Sequence, residues 1–165
     1  MRGGIFAVLA FAAVILDSAL APRIEILGAR PDLLVLVVVY GGLALGTRAA
    51  TVAGFLVGLV ADSELPAYLG LNALALSVTG FWTAGIWDRL VRGNVLVQAG
   101  VLFAASLSHD LIYYAIYYRN HMDLLPHFIG RYALLGGVYT AALGAVVYAV
   151  ARLGRWEAVT DGLRA

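Results

Sequence analysis

The chain has 165 residues, of which 62% are hydrophobic and only 13% charged. Mean hydropathy is +0.90. Soluble domains carry roughly a quarter charged residues, and a fold this small has too little interior to hide so much apolar surface. The formal charge of +1 provides no field for a polyanion, so nucleic acid is excluded as a partner. Cysteine is absent, which removes disulfides, thiolate nucleophiles and cysteine-based metal sites. Lysine is absent too, so there is no Schiff-base or phosphate-loop lysine.

Six apolar segments follow in chain order: Gly4 to Ala21, Leu33 to Leu45, Ala49 to Ala61, Leu69 to Trp87, Val95 to Tyr118 and Tyr132 to Ala151. A helix needs about 20 residues to cross a bilayer. Segments one, four, five and six meet that length unaided. With flanking residues the expected helices cover 4–21, 30–46, 48–64, 69–87, 95–118 and 131–151. The expectation is one all-α membrane domain over 1–165, a six-helix bundle with a tail at 152–165. Segments two and three are short and separated only by Gly46-Thr47-Arg48, so a fully crossing hairpin and a re-entrant one both fit.

Ala19-Leu20-Ala21 imitates a signal-peptidase site, but Pro22 behind it and Asp17 before it disfavour cleavage, so the first segment is expected to stay as a helix. Arginine placement gives the orientation. With six crossings and a cytoplasmic N-terminus, seven arginines (Arg2, Arg48, Arg89, Arg92, Arg152, Arg155, Arg164) lie inside and four (Arg23, Arg30, Arg119, Arg131) outside. Both termini are therefore expected in the cytoplasm. In the tail, Leu153, Trp156, Val159 and Leu163 between arginines suggest an interfacial helix.

Two kinds of residue stand out against this background. Ala50, Gly54 and Gly58 recur every fourth position in segment three and lead to Asp62; Gly136, Thr140 and Gly144 do the same in segment six. Small residues at this spacing let helix backbones approach closely in lipid. They serve either a partner helix or internal packing, the latter for segment three against segment two or six. The second kind is polar: Asp17, Asp32, Asp62, Asn72, His109, Asp110 and Tyr113. A carboxylate at mid-membrane costs about 2.5–3.5 kcal/mol on insertion scales and needs a partner or a function. Asp32, after Pro31, suits a helix cap. Asp62 suits a pairing with Arg23 or Arg30, or a cap on the following helix. His109 and Asp110, with Tyr113, Tyr114, Tyr117 and Tyr118 beyond, make the most polar intramembrane face, fit for a proton, an ion or a polar ligand. Being adjacent on a helix, the two point about 100° apart and are not expected to form one tight pair. His121, Asp123 and His127 fit no metal motif and suggest a solvated loop. No nucleophile–base arrangement marks an enzyme, and no cofactor is expected.

The stretches Arg30-Pro31-Asp32-Leu33-Leu34, Gly54-Phe55-Leu56-Val57-Gly58-Leu59-Val60-Ala61-Asp62 and Leu69-Gly70-Leu71-Asn72-Ala73-Leu74, in this order and in a chain of this length, resemble the bacterial rod shape-determining protein MreD family. The resemblance implies a non-enzymatic inner-membrane scaffold of the cell-elongation machinery. It implies MreC as direct partner, with MreB filaments, a RodA-type glycosyltransferase and its transpeptidase reached indirectly, and membrane lipids around it. It also implies a fold like the S components of energy-coupling-factor transporters, which keeps a small-molecule-binding transporter subunit as the alternative.

Overall fold

A computed structural model describes residues 2–20, 23–25, 28–63, 66–90 and 94–153. Among these the regular structure is helical, with no strand. Six helices follow one another. They are α1 (Arg2–Leu20), α2 (Leu33–Leu45), α3 (Thr47–Asp62), α4 (Leu71–Leu90), α5 (Val95–Tyr117) and a composite α6 over 125–153. A 3₁₀ turn, Pro66–Tyr68, precedes α4. The tail helix expected at 152–165 lies outside the described residues from 154 onward.

The starts of α2 and α5 have local causes. The Asp32 carboxylate accepts the Val35 N–H at 2.8 Å, and Asp17 of α1 accepts the Leu33 N–H at 3.1 Å. Two carboxylates therefore satisfy the first free donors of α2, behind a proline that cannot extend the helix backwards. This starts α2 at Leu33, where the expected range began at 30. Asn94 caps α5, its Oδ1 accepting from Leu96 at 2.9 Å and Val97 at 3.5 Å. The α2–α3 connection is one residue, Gly46, at φ 81°. Only glycine adopts that left-handed conformation without strain, so the hairpin turns there as tightly as a chain can.

The last helix departs most from expectation. It begins at Leu125, inside what the sequence suggested was a twelve-residue loop up to Gly130. It passes through a five-residue π-helical stretch, Ile129–Ala133, and continues as Leu134–Leu153. Pro126 sits in the first turn, where its missing N–H costs nothing.

Packing is dominated by α3 against α4, then α6 against α5, with α2 touching α1, α3, α4, α5 and α6. Helix α2 is thus the central element. Its Val35, Val38 and Val39 are fully or almost fully buried, together with Leu76 of α4 and Leu102 of α5. The outward faces are apolar: Phe11, Val52, Phe55, Phe81, Val138 and Val146 are all exposed. A polar interior seam and an apolar exterior invert the pattern of a water-soluble bundle.

Candidate functional site

The chain reverses so that the ends of α1, α3 and α5 meet the starts of α2, α4 and α6, and the polar residues collect at this end of the bundle. Asp32 at the start of α2 faces α5. Its Oδ2 lies 2.9 Å from Nδ1 of His109, and Asp110 Oδ1 lies 3.5 Å from the same nitrogen. The other ring nitrogen, Nε2, is 3.3 Å from Asn72 Oδ1 on α4. The three side chains of the ion cluster are nearly buried, at 15%, 8% and 19% exposure for Asp32, His109 and Asp110. Three helices thus contribute to one polar centre. The Asp32 backbone N–H donates to Thr140 Oγ1 of α6 at 2.8 Å, and that hydroxyl donates to the Gly136 carbonyl at 2.8 Å.

His109 Nδ1 and Asp110 Oδ1 are 3.5 Å apart with no hydrogen bond between them, so the two neighbours come close without forming one tight pair. Asp62 pairs with neither Arg23 nor Arg30; Arg30 instead holds Glu25 at 2.7 Å. Asp62 is 2% exposed, and its carboxylate accepts the N–H groups of Gly70, Asn72 and Ala73 at 2.9, 3.0 and 3.1 Å. It is the cap of α4, the other role its position allowed, supplied from the end of α3.

The small-residue stripes are spent inside the chain. A Cβ on Gly54 would overlap the Leu76 carbonyl, and one on Gly58 would overlap the Ala73 backbone. Ala50 is fully buried, with Gly80 of α4 lying so close that its Cβ would stand 2.7 Å from the Ala50 carbonyl. Within the chain this stripe therefore packs on α4, not on α2 or α6 as expected. In α6, a Cβ on Gly136 would stand 3.1 Å from the Arg30 carbonyl, and one on Gly144 would overlap Leu102 and crowd Leu36. The Gly144 carbonyl also accepts the Tyr40 hydroxyl at 2.7 Å. Close backbone approach is what both stripes achieve, but intramolecularly.

Above the ion cluster opens a cavity of about 870 Å³ whose lining includes Asp17, Glu25, Arg30, Asp32 and Asp110. Its wall is aromatic. Tyr113 stacks on Tyr117 at 5.8 Å between ring centres, Tyr118 on Phe128 at 4.5 Å, and Phe128 on Tyr132 at 5.3 Å. Phe128 immediately precedes the π-helical stretch and Tyr132 lies within it. Such stretches often accompany functional sites because they rotate side chains off the regular helical register. The tyrosine run was visible in the sequence; its continuation was not, because Phe128 fell in the supposed loop and Tyr132 stood at the start of the expected last helix with nothing to tie it to the run. His121, Asp123 and His127 are exposed on the connection and the first turn beyond it, where His127 stands edge-on to Phe128 and Tyr132 at 5.9 and 6.3 Å between ring centres.

These features define an all-helical apolar bundle with a charged, partly enclosed centre at one end. A family model described as rod shape-determining protein MreD matches residues 3–153, and the chain belongs to that family. It is a rod-shape-determining membrane protein. No curated protein and no solved structure matched it.

Proposed function

We propose that this chain is a non-enzymatic scaffold subunit of the bacterial cell-elongation machinery, seated in the inner membrane and binding MreC. Through MreC it is linked to MreB filaments and to a RodA-type glycosyltransferase with its transpeptidase. The observation that carries this is the family match across residues 3–153. Within the proposal, α1 to α6 each cross the membrane, in an arrangement like the S components of energy-coupling-factor transporters, with both termini in the cytoplasm. Helices α5 and α6 are long and apolar enough to cross alone. At 13 and 16 residues, α2 and α3 are only about 20 and 24 Å long against a hydrocarbon core of about 30 Å. Their central, packed position supports a crossing in which neighbouring helices and a thinned bilayer cover the shortfall. No observation favours the transporter alternative.

The test is recovery of a complex. The chain, tagged and expressed with MreC, is extracted in mild detergent and isolated through the tag. MreC is expected at a fixed ratio through size-exclusion chromatography. Recovery of the chain alone, with MreC in the flow-through, would overturn the proposal.

A further inference from the structure

Independently of any partner, the geometry points to a divalent transition-metal site formed by His109 Nδ1, Asp32 and Asp110 at the floor of the aromatic cavity. These three residues each offer one ligand atom, and the atoms lie within 4.8 Å of one another. Tetrahedral ligands about 2.0–2.1 Å from zinc stand roughly 3.3 Å apart. The 2.9 and 3.5 Å separations from Nδ1 lie on either side of that value, and the three atoms as a set, within 4.8 Å of one another, draw together on binding.

The second observation is the imidazole itself. His109 is 6% exposed, and its Nδ1, although close to both carboxylates, is aligned with neither for a hydrogen bond. Its Nε2 stands against the Asn72 side-chain oxygen. With the Nε2 proton donated there, the neutral ring turns the bare Nδ1 lone pair towards two anions. That arrangement repels unless a cation sits between them. A proton on Nδ1 leaves the cluster at a net charge of −1 with a misdirected N–H. A divalent ion brings two carboxylates and a neutral imidazole to zero, which favours it in a site flanked by lipid-facing helices.

The surroundings have the form that metal sites require. The Asn72 oxygen fixes the tautomer from behind, as outer-shell acceptors do for ligating histidines. Asp32 Oδ1 is held by the Val35 N–H, which leaves Oδ2 aimed at the centre. Asp32 and Asp110 both line the cavity, so a fourth position is open to water or to a ligand from that side.

The full-length chain is purified in detergent, stripped with chelator and titrated with Co²⁺ or Zn²⁺. One equivalent per chain is expected to survive gel filtration, with a tetrahedral cobalt absorption band and a metal-dependent rise in thermal midpoint. His109→Gln and Asp110→Asn are expected to lose all three signals. Asp32→Asn keeps an oxygen for the Val35 N–H, so it tests the ligand without disturbing the helix start, and is expected to lose them too. Asn72→Ala is expected to weaken affinity by roughly ten- to a hundredfold. His121→Ala/His127→Ala, which removes the exposed histidines, is expected to retain the full equivalent. A wild-type chain that retains no metal and shows no thermal shift overturns the site and leaves Nδ1 to a proton. Equal retention by folded His109→Gln or Asp32→Asn overturns it as well.

Discussion

Asp62 shows how much one side chain does in a bundle with few polar groups. Its two oxygens serve three backbone donors at the start of α4, and it is shielded from water. Substituting a helix-capping carboxylate by alanine costs about 0.5–2 kcal/mol, and a buried donor left without a partner costs about 1–3 kcal/mol more. Asp62→Ala is therefore expected to lower the thermal midpoint of the purified chain by several degrees, while Asp62→Asn, which keeps one acceptor, loses less. Detergent-phase thermal unfolding followed by circular dichroism measures both. The pairing of Asp32 with His109 belongs to the same scale. The sequence marks each as a costly group, but 77 positions separate them, and local spacing carries no information about which costly groups meet.

At the scale of elements, the α3–α4 contact is the most extensive among the described residues and depends on missing side chains. Gly54 and Gly58 place their Cα atoms against the α4 backbone, where any Cβ would overlap. Gly58→Leu is expected to force α3 away from α4 and destabilise the chain by at least about 2–3 kcal/mol, so the variant yields little folded protein. Gly100→Ala on α5 is the contrasting case, because nothing lies near its Cβ position. It is expected to be neutral or to gain up to about 1 kcal/mol from helix propensity. Yield and elution profile in detergent distinguish the two. This contrast also bears on partner mapping: loss of MreC from a Gly58 variant would report lost folding, not a lost docking face. The spacing-four stripe was plain in the sequence, and so was the chance that it packs internally. Which helix fills it was not, since α2, α4 and α6 all supply apolar neighbours of similar composition. The π-helical stretch was equally hidden, because Phe128 and Gly130 read as loop while Arg131 and Tyr132 read as the first turn of an ordinary helix.

For the whole molecule, the absence of cysteine allows a direct test of threading. A single cysteine placed at Asn120, between α5 and α6, is expected to react with a membrane-impermeant maleimide in intact cells once the outer membrane is permeabilised. Cysteines at Arg48 and Asn94, both exposed at the opposite end of the bundle, are expected to react only after lysis. Labelling at Asn120 and Asn94 from the same side would break the proposed alternation of crossings. The cavity faces the Asn120 end, so this experiment also decides which compartment supplies the ion and any ligand above it.

Long apolar segments, in a chain 62% apolar with so little charge, pointed to helices directed at lipid. The two glycine-rich stripes marked positions where helices can approach closely, and the ordered motifs between Arg30 and Leu74 carried the family resemblance that the match over 3–153 confirms. Those properties are local, so they are written in short stretches of sequence. Tertiary structure decided the rest: that Asp62 caps α4, that α3 is sealed by α4, and that Asp32, His109, Asp110 and Asn72 converge under a tyrosine-lined cavity. Each of these depends on which helices become neighbours. In a uniformly apolar chain that choice is made by shape and by the pairing of scarce polar groups across long separations, and no local pattern records it.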